Sequence, residues 1–202
     1  MIQKAQNGLS NLMEAIKGYF ADEEIEPLAK LLCDALRSDS ICYDDISIDP
    51  DIMDDTILLA YEKRLLLPMK SIRGSAWEDR ILNFCEGERY HLPRVVRILA
   101  DNAEATSEWN TRFAVRKALA EAGEKDIEPP LHFLETIQKA APQCVVTVDT
   151  MQAVLADSRL ELDMHDTLDR FVRCGIMSPI TQRSLHTGSP RYEINPCLYW
   201  SV

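Results

Sequence analysis

The sequence predicts a mainly α protein with small β-hairpins, an α+β chain whose two ends repeat one order of elements around a helical linker. Three observations carry this. Apolar residues return at every third or fourth position in most segments, which is the period of a helix with one buried face. The order helix, short strand, helix and hairpin that runs before residue 86 is met again after residue 131. The chain closes with two short apolar runs, 176–180 and 192–194, around a loop that carries Arg183, His186, Gly188, Pro190 and Arg191.

Each element has a local cause. Over residues 8–20, Leu9, Leu12, Met13, Ile16, Tyr19 and Phe20 share one stripe. Such a helix packs on its own domain or, alternatively, docks a partner or dimerises. A second helix is expected over 26–37, with Pro27 in a first turn where its missing N–H costs nothing. Residues 39–45 read as a short strand, and 51–64 as a helix with Ile57, Leu58 and Tyr61 inward. Residues 65–72 and 79–84 read as the limbs of a hairpin. Helices follow over 93–105 and 107–122, and the Pro129–Pro130 pair ends this linker because consecutive prolines exclude helix. The second part is read as a helix over 131–141, a β-branched strand over 145–148 and a helix over 150–156 capped by Asp149. A last helix, 164–174, is capped by Asp163, turns Leu168, Phe171 and Val172 inward, and is stopped by Gly175.

The repeat is visible without gaps in one block. Residues 54–69 lie on 165–180 at a constant offset of 111, which sets Asp55, Thr56 and Pro68 on Asp166, Thr167 and Pro179. Ile57 then falls on Leu168, and Leu65 on Ile176. The first copy is shorter between its opening helix and this block, so its middle helix is expected to be stunted or absent.

Length and composition set limits on function. At 202 residues, with 46% hydrophobic and 27% charged residues, the chain has the make-up of a soluble globular protein of one or two domains. It lacks a signal-peptide core and any run of eighteen apolar residues, so a cytoplasmic protein with no membrane partner is expected. Seven glycines are few for phosphate-cradling loops, and no nucleophile elbow, P-loop or dinucleotide fingerprint is found. No enzyme activity and no cofactor are expected. The six cysteines are scattered, with no pair at metal-clip spacing, and read as buried free thiols with no metal site.

Charge is regional. The net charge is −11, and twelve acids between Ala21 and Thr56 face only Lys30 and Arg37, which leaves −1 for the rest of the chain. Residues 44–55 lack the alternating ligands, central glycine and final glutamate of a calcium loop.

The element order, the junction "FVRCGIM", the loop "TQRSLHTGSP" and the returning "RYEINP" resemble the winged helix-turn-helix superfamily. The resemblance implies tandem copies. An amphipathic helix occupies 1–24, a degenerate acidic copy 25–88, a helical linker 89–130, and the complete copy 131–202. In such proteins the helix before the hairpin lies in the major groove and the wing touches the backbone. Carried onto this chain, it makes His165, Thr167, Arg170 and Arg173 the outward helix residues that contact duplex DNA. Arg183, His186 and Arg191 would be the wing contacts, within a possible homodimer, while Asp166 and Asp169 oppose the phosphates. The expected function is a DNA-binding, transcription-regulator-like protein acting through its C-terminal copy. The alternative is an acidic tandem winged-helix adaptor between proteins without DNA binding, similar in charge and architecture to accessory subunits of chromosome organisation and membrane sorting. There Asp51, Asp54 and Asp55 would meet a basic protein partner.

Overall fold

Helix α1, Ile2–Ile16, buries Leu12, Ala15 and Ile16 against the body of the protein. The computed structural model describes residues 2–181 and 188–200, and side chains from residue 7 onward within them. The stripe expected to reach Phe20 stops at Ile16 because Gly18 adopts φ +92, which turns the chain out of the helix. Tyr19 and Phe20 then meet Trp200, stacked at 5.3 Å and edge-on at 5.0 Å, so the exit of α1 is pinned by the far end of the chain. Helix α2, Asp22–Leu36, begins one turn earlier than expected. The Ala21 N–H donates to the Glu24 carboxylate at 2.9 Å, and Asp22, Glu23 and Glu24 sit at the positive end of the helix. Pro27 therefore falls in the second turn.

The first repeat continues with β1 (Ile41–Cys42), a 3-10 turn (Tyr43–Asp45), α3 (Pro50–Glu62), β2 (Leu67–Pro68) and β3 (Arg89–His91). The linker helices are α4 (Arg94–Thr106) and α5 (Thr111–Glu121). The second repeat has α6 (Glu128–Ala140), β4 (Val145–Thr147), α7 (Val148–Ser158), α8 (Met164–Arg173), β5 (Met177–Pro179) and β6 (Arg191–Ile194), then a 3-10 turn over Pro196–Tyr199. Among the described residues the protein is thus mainly helical, with two small antiparallel sheets.

The two sheets have one plan. Their strand orders are β1-β3-β2 and β4-β6-β5, each with the last strand in the middle. Tyr90 in β3 pairs with Ile41 and Pro68, and Tyr192 in β6 pairs with Val146 and Pro179. Pro68 and Pro179, matched at offset 111, therefore stand opposite equivalent tyrosines. Between strand and helix the repeats differ as their lengths demand. An eleven-residue α7 in the second is replaced in the first by the three-residue turn Tyr43–Asp45.

Three local readings are corrected. The expected hairpin of 65–72 with 79–84 reduces to one bridge, Ser71 with Arg80, because β2 finds its ladder partner in Arg89–His91. That segment was read as the start of the linker. Its "RY" pair, shared with the opening of β6, was the overlooked signal. Pro129 and Pro130 lie inside the first turn of α6, where backbone N–H groups have no helical acceptor to lose. Helix α7 is capped by Thr147, whose hydroxyl accepts the Thr150 N–H at 3.1 Å, and not by Asp149.

Helix α4 joins the halves. It buries Val95, Val96, Leu99, Ala100 and Ala103, and it packs on α1, α2 and α5. Arg97 reaches the end of α2 and donates to the carbonyls of Ala35 and Leu36 at 3.0 and 3.2 Å. At the N-terminus of α4 the Val95 N–H donates to the Cys174 carbonyl at 2.9 Å, so the end of α8 caps α4. Buried residues from Leu12 to Leu198 form one continuous core. No helix among the described residues is long and apolar enough to cross a membrane.

Gly175, the expected stop of α8, holds φ +71, and a Cβ placed there would lie 2.5 Å from the Cβ of Pro93. Gly175→Ala should lower unfolding free energy by about 3 kcal/mol in urea denaturation, combining left-handed strain with the clash. Gly123→Ala, at φ +87 with nothing within 4 Å, should cost about 1 kcal/mol. Equal losses would show that close packing against Pro93 contributes nothing.

Candidate functional site

The repeats meet at their equivalent junctions. Arg64 and Gly175, matched at offset 111, both adopt left-handed backbone, with φ 56 and 71. A non-glycine residue there costs about 1 kcal/mol, and at Arg64 the side chain offsets it. Its guanidinium donates to both carboxylate oxygens of Glu193 at 3.0 and 3.2 Å and lies over the ring of Tyr61 at 5.1 Å. Asn195, fully buried, donates from one amide nitrogen to the Arg64 carbonyl at 3.1 Å and to the Gly175 carbonyl at 3.3 Å. Its oxygen accepts the Cys197 N–H at 3.1 Å. Beside it the Trp77 N–H donates to the Ser178 hydroxyl at 2.9 Å, and Thr181 donates to Glu78 at 2.6 Å. The base of each hairpin is therefore fixed against the other, and α3 and α8, which end at these junctions, hold set positions.

On α8 the expected DNA-contact set is divided. His165 is exposed, as are Asp166 and Asp169. Thr167 is not outward: it is 3% exposed, because it stands one turn from Phe171 on the helix face that builds the core. Arg170 is half-buried and paired with Glu124, which the end of α5 brings alongside, so its charge is already matched. Arg173 pairs with Asp169 one turn back at 3.0 Å. Arg191 is exposed at the start of β6, opposite Thr147. Arg183 and His186 lie outside the described residues. The solvent face of α8 thus combines His165 and Arg173 with two carboxylates.

Helix α3 offers the contrast. Asp49 accepts the Asp51 N–H at 3.1 Å and starts the helix, with Pro50 in the first turn. Met53, Thr56, Ile57 and Ala60 are buried, a stripe at spacing i, i+3, i+4, i+7. Leu58, read from the sequence as inward, lies outside that stripe and is 39% exposed, and Ile52 is 42% exposed. The inward spacing itself excludes position 58 and was the signal available. Around Leu58 stand Asp54 and Asp55 on the preceding turn, Asp51 a turn further back, and Glu62 on the following turn, all exposed. Among the described residues none of these four is in a salt bridge, whereas the acids near α5 and α6 are paired with Arg94, Arg112 and Arg116.

Tyr43 links α3 to the first hairpin. Its backbone N–H donates to the Glu88 carbonyl at 2.8 Å, and its hydroxyl donates to Asp54 at 2.7 Å. The hydrogen bond to Asp54 raises the phenol above its ordinary pKa. The Gly87 N–H donates to Asp44 at 3.0 Å, and the Tyr90 hydroxyl donates to the Asn83 carbonyl. The limb 83–88 is therefore held beside Tyr43, and it presents Phe84 to solvent.

All six cysteines are free, but only Cys174 and Cys197 are buried, and Cys85 is exposed. Scattered spacing spoke against metal clips and redox motifs; it held no information on burial. The Cys33 thiol is pushed up to about 11, first by burial and then by the nearby carboxylate of Glu104.

The chain belongs to a protein family whose model matches residues 7–201. No curated protein and no solved structure matches it.

Two outcomes are expected. Asn195→Ala leaves two buried carbonyls without their donor and should cost about 3 kcal/mol in urea denaturation, whereas a loss under about 1 kcal/mol would mean the bridge adds little. In a thiol titration of the native protein at pH 8, Cys85 should react first and Cys33 far more slowly, since the thiolate is the nucleophile and the Cys33 thiol stays protonated until well above that pH. Comparable rates would contradict the placement of both.

Proposed function

We propose that the protein is a tandem winged-helix adaptor that binds another protein through its first repeat. The fold reading is supported by the order helix, strand, helical segment, helix and hairpin, which occurs twice with one sheet plan. The junctions and their left-handed residues also correspond at one offset. In this reading the first copy has exchanged its middle helix for a turn, and the linker helices α4 and α5 hold the two copies together.

The single observation that carries the functional reading is the state of the charges on the two equivalent helices. On α8, Arg170 and Arg173 are engaged by Glu124 and Asp169, and Thr167 is inside. On α3, Asp51, Asp55 and Glu62 stand exposed without a cationic partner among the described residues, beside an exposed leucine. Phosphate binding needs cations free to displace counterions, and freeing an engaged arginine leaves a carboxylate behind facing the DNA. Recognition of a basic protein needs the charge pattern that α3 displays. DNA binding has less support, resting on His165, Arg191 and the two wing residues outside the described segments.

Random duplex DNA at low salt separates the readings. No retention is expected. Retention whose salt slope falls by about one unit or more in an Arg183→Ala, Arg191→Ala double variant would favour the DNA reading. In co-purification, a basic protein recovered with the wild type should be lost with the Asp51→Asn, Asp54→Asn, Asp55→Asn variant. Recovery unchanged by those substitutions would refute the adaptor reading at this surface.

A further inference from the structure

We infer that the surface running from α3 across Tyr43 to the limb 83–88 receives a lysine- or arginine-rich amphipathic helix of another protein. This rests on the adaptor reading and names the occupant of its site. The surface is continuous, because Tyr43 is bonded to Glu88 at one end and to Asp54 at the other. It carries two exposed apolar side chains, Leu58 and Phe84. Large apolar groups that stay in water beside unmatched charge are typical of a surface awaiting a partner.

Charge complementarity selects the occupant. Leu58 is ringed by Asp51, Asp54, Asp55 and Glu62, and the surrounding segment from Ala21 to Thr56 carries ten more acids than bases. A second copy of this chain would bring the same charge, while nucleic acid and anionic lipid are repelled by it. A cationic protein segment with an apolar side remains. Backbone pairing with an extended segment is disfavoured, since both edge strands of the first sheet, β1 and β2, have only two residues, β1 runs at once into a 3-10 turn, and β2 contains Pro68. A helix satisfies the surface instead. Its apolar stripe covers Leu58 and Phe84, and lysines flanking that stripe reach the ring of carboxylates. The thirteen residues of α3 correspond to a length of about 20 Å, which a partner helix of about four turns would match.

The test uses the full chain and a fluorescent peptide of about 18 residues, built from leucine and lysine at helical period, followed by anisotropy. Its control has the same composition with the period scrambled. The periodic peptide should bind at least roughly tenfold tighter than the scrambled one, since only it can present an apolar face. Asp51→Asn with Asp55→Asn should weaken binding roughly tenfold at low salt, and Leu58→Ala roughly fivefold. Asp22→Asn with Glu23→Asn, exposed acids on α2, should leave binding unchanged. Equal binding of the scrambled peptide, an equal effect of the α2 pair, or no binding at all would overturn the inference, with circular dichroism confirming that each variant is folded. If the peptide fails but the triple aspartate variant still releases a co-purified basic protein, this inference falls and the adaptor reading stands.

Discussion

One buried amide sets the relation between the two halves of this protein. The side chain of Asn195 donates to the carbonyls of Arg64 and Gly175, the two residues at which the chain leaves a helix and enters a strand in each repeat. Both carbonyls are turned by left-handed backbone, which removes them from ordinary helical pairing, and a buried carbonyl without a donor is costly. Arg64 and Glu193 close the same junction from the outside with a bidentate pair at 3.0 and 3.2 Å. Because Asn195 and Glu193 both belong to the second repeat, the first repeat depends on the second to satisfy its junction at Arg64.

The consequences reach the surfaces. With the junctions fixed, α8 ends against α4, and the Cys174 carbonyl caps that helix. The end of α5 then lies close enough for Glu124 to take Arg170. The linker thus engages one arginine of α8, and Asp169 of the helix itself engages the other. Among the described residues helix α3 has no such neighbour along its outer side, so its carboxylates and Leu58 keep their solvent exposure. The difference in free surface charge between two similar repeats follows from what packs against each, and the repeats' own sequences account for only part of it.

The first repeat also shows how a shortened unit is kept intact. Where the second has α7, the first has a 3-10 turn, and Tyr43 on that turn spans the gap with bonds to Glu88 and Asp54. The same tyrosine joins α3 to the hairpin limb and so makes one surface of two elements. The turn that stands where the second repeat has α7 is the seam on which the binding proposal rests.

The sequence by itself determined those features whose cause lies within a few residues. The Asp163 cap and Gly175 stop of α8, the second hairpin, the buried stripes of α1 and α2 and the stunted middle of the first repeat were all legible, because caps, turns and periodic burial act over one or two helical turns. Only the tertiary structure decided the partner of β2, which is β3 about twenty residues on, and the engagement of Arg170 by a glutamate 46 residues away. It also decided that Asn195 bridges two junctions, each reached across a different stretch of chain. Leu58 and Thr167 lie between these cases: each could be placed from the spacing of its buried neighbours, but a mixed apolar and polar pattern does not say which of two adjacent positions faces the core. Long-range pairing depends on which segments the whole core brings together, and beyond the "RY" pair that β3 shares with β6 no local pattern encodes that choice.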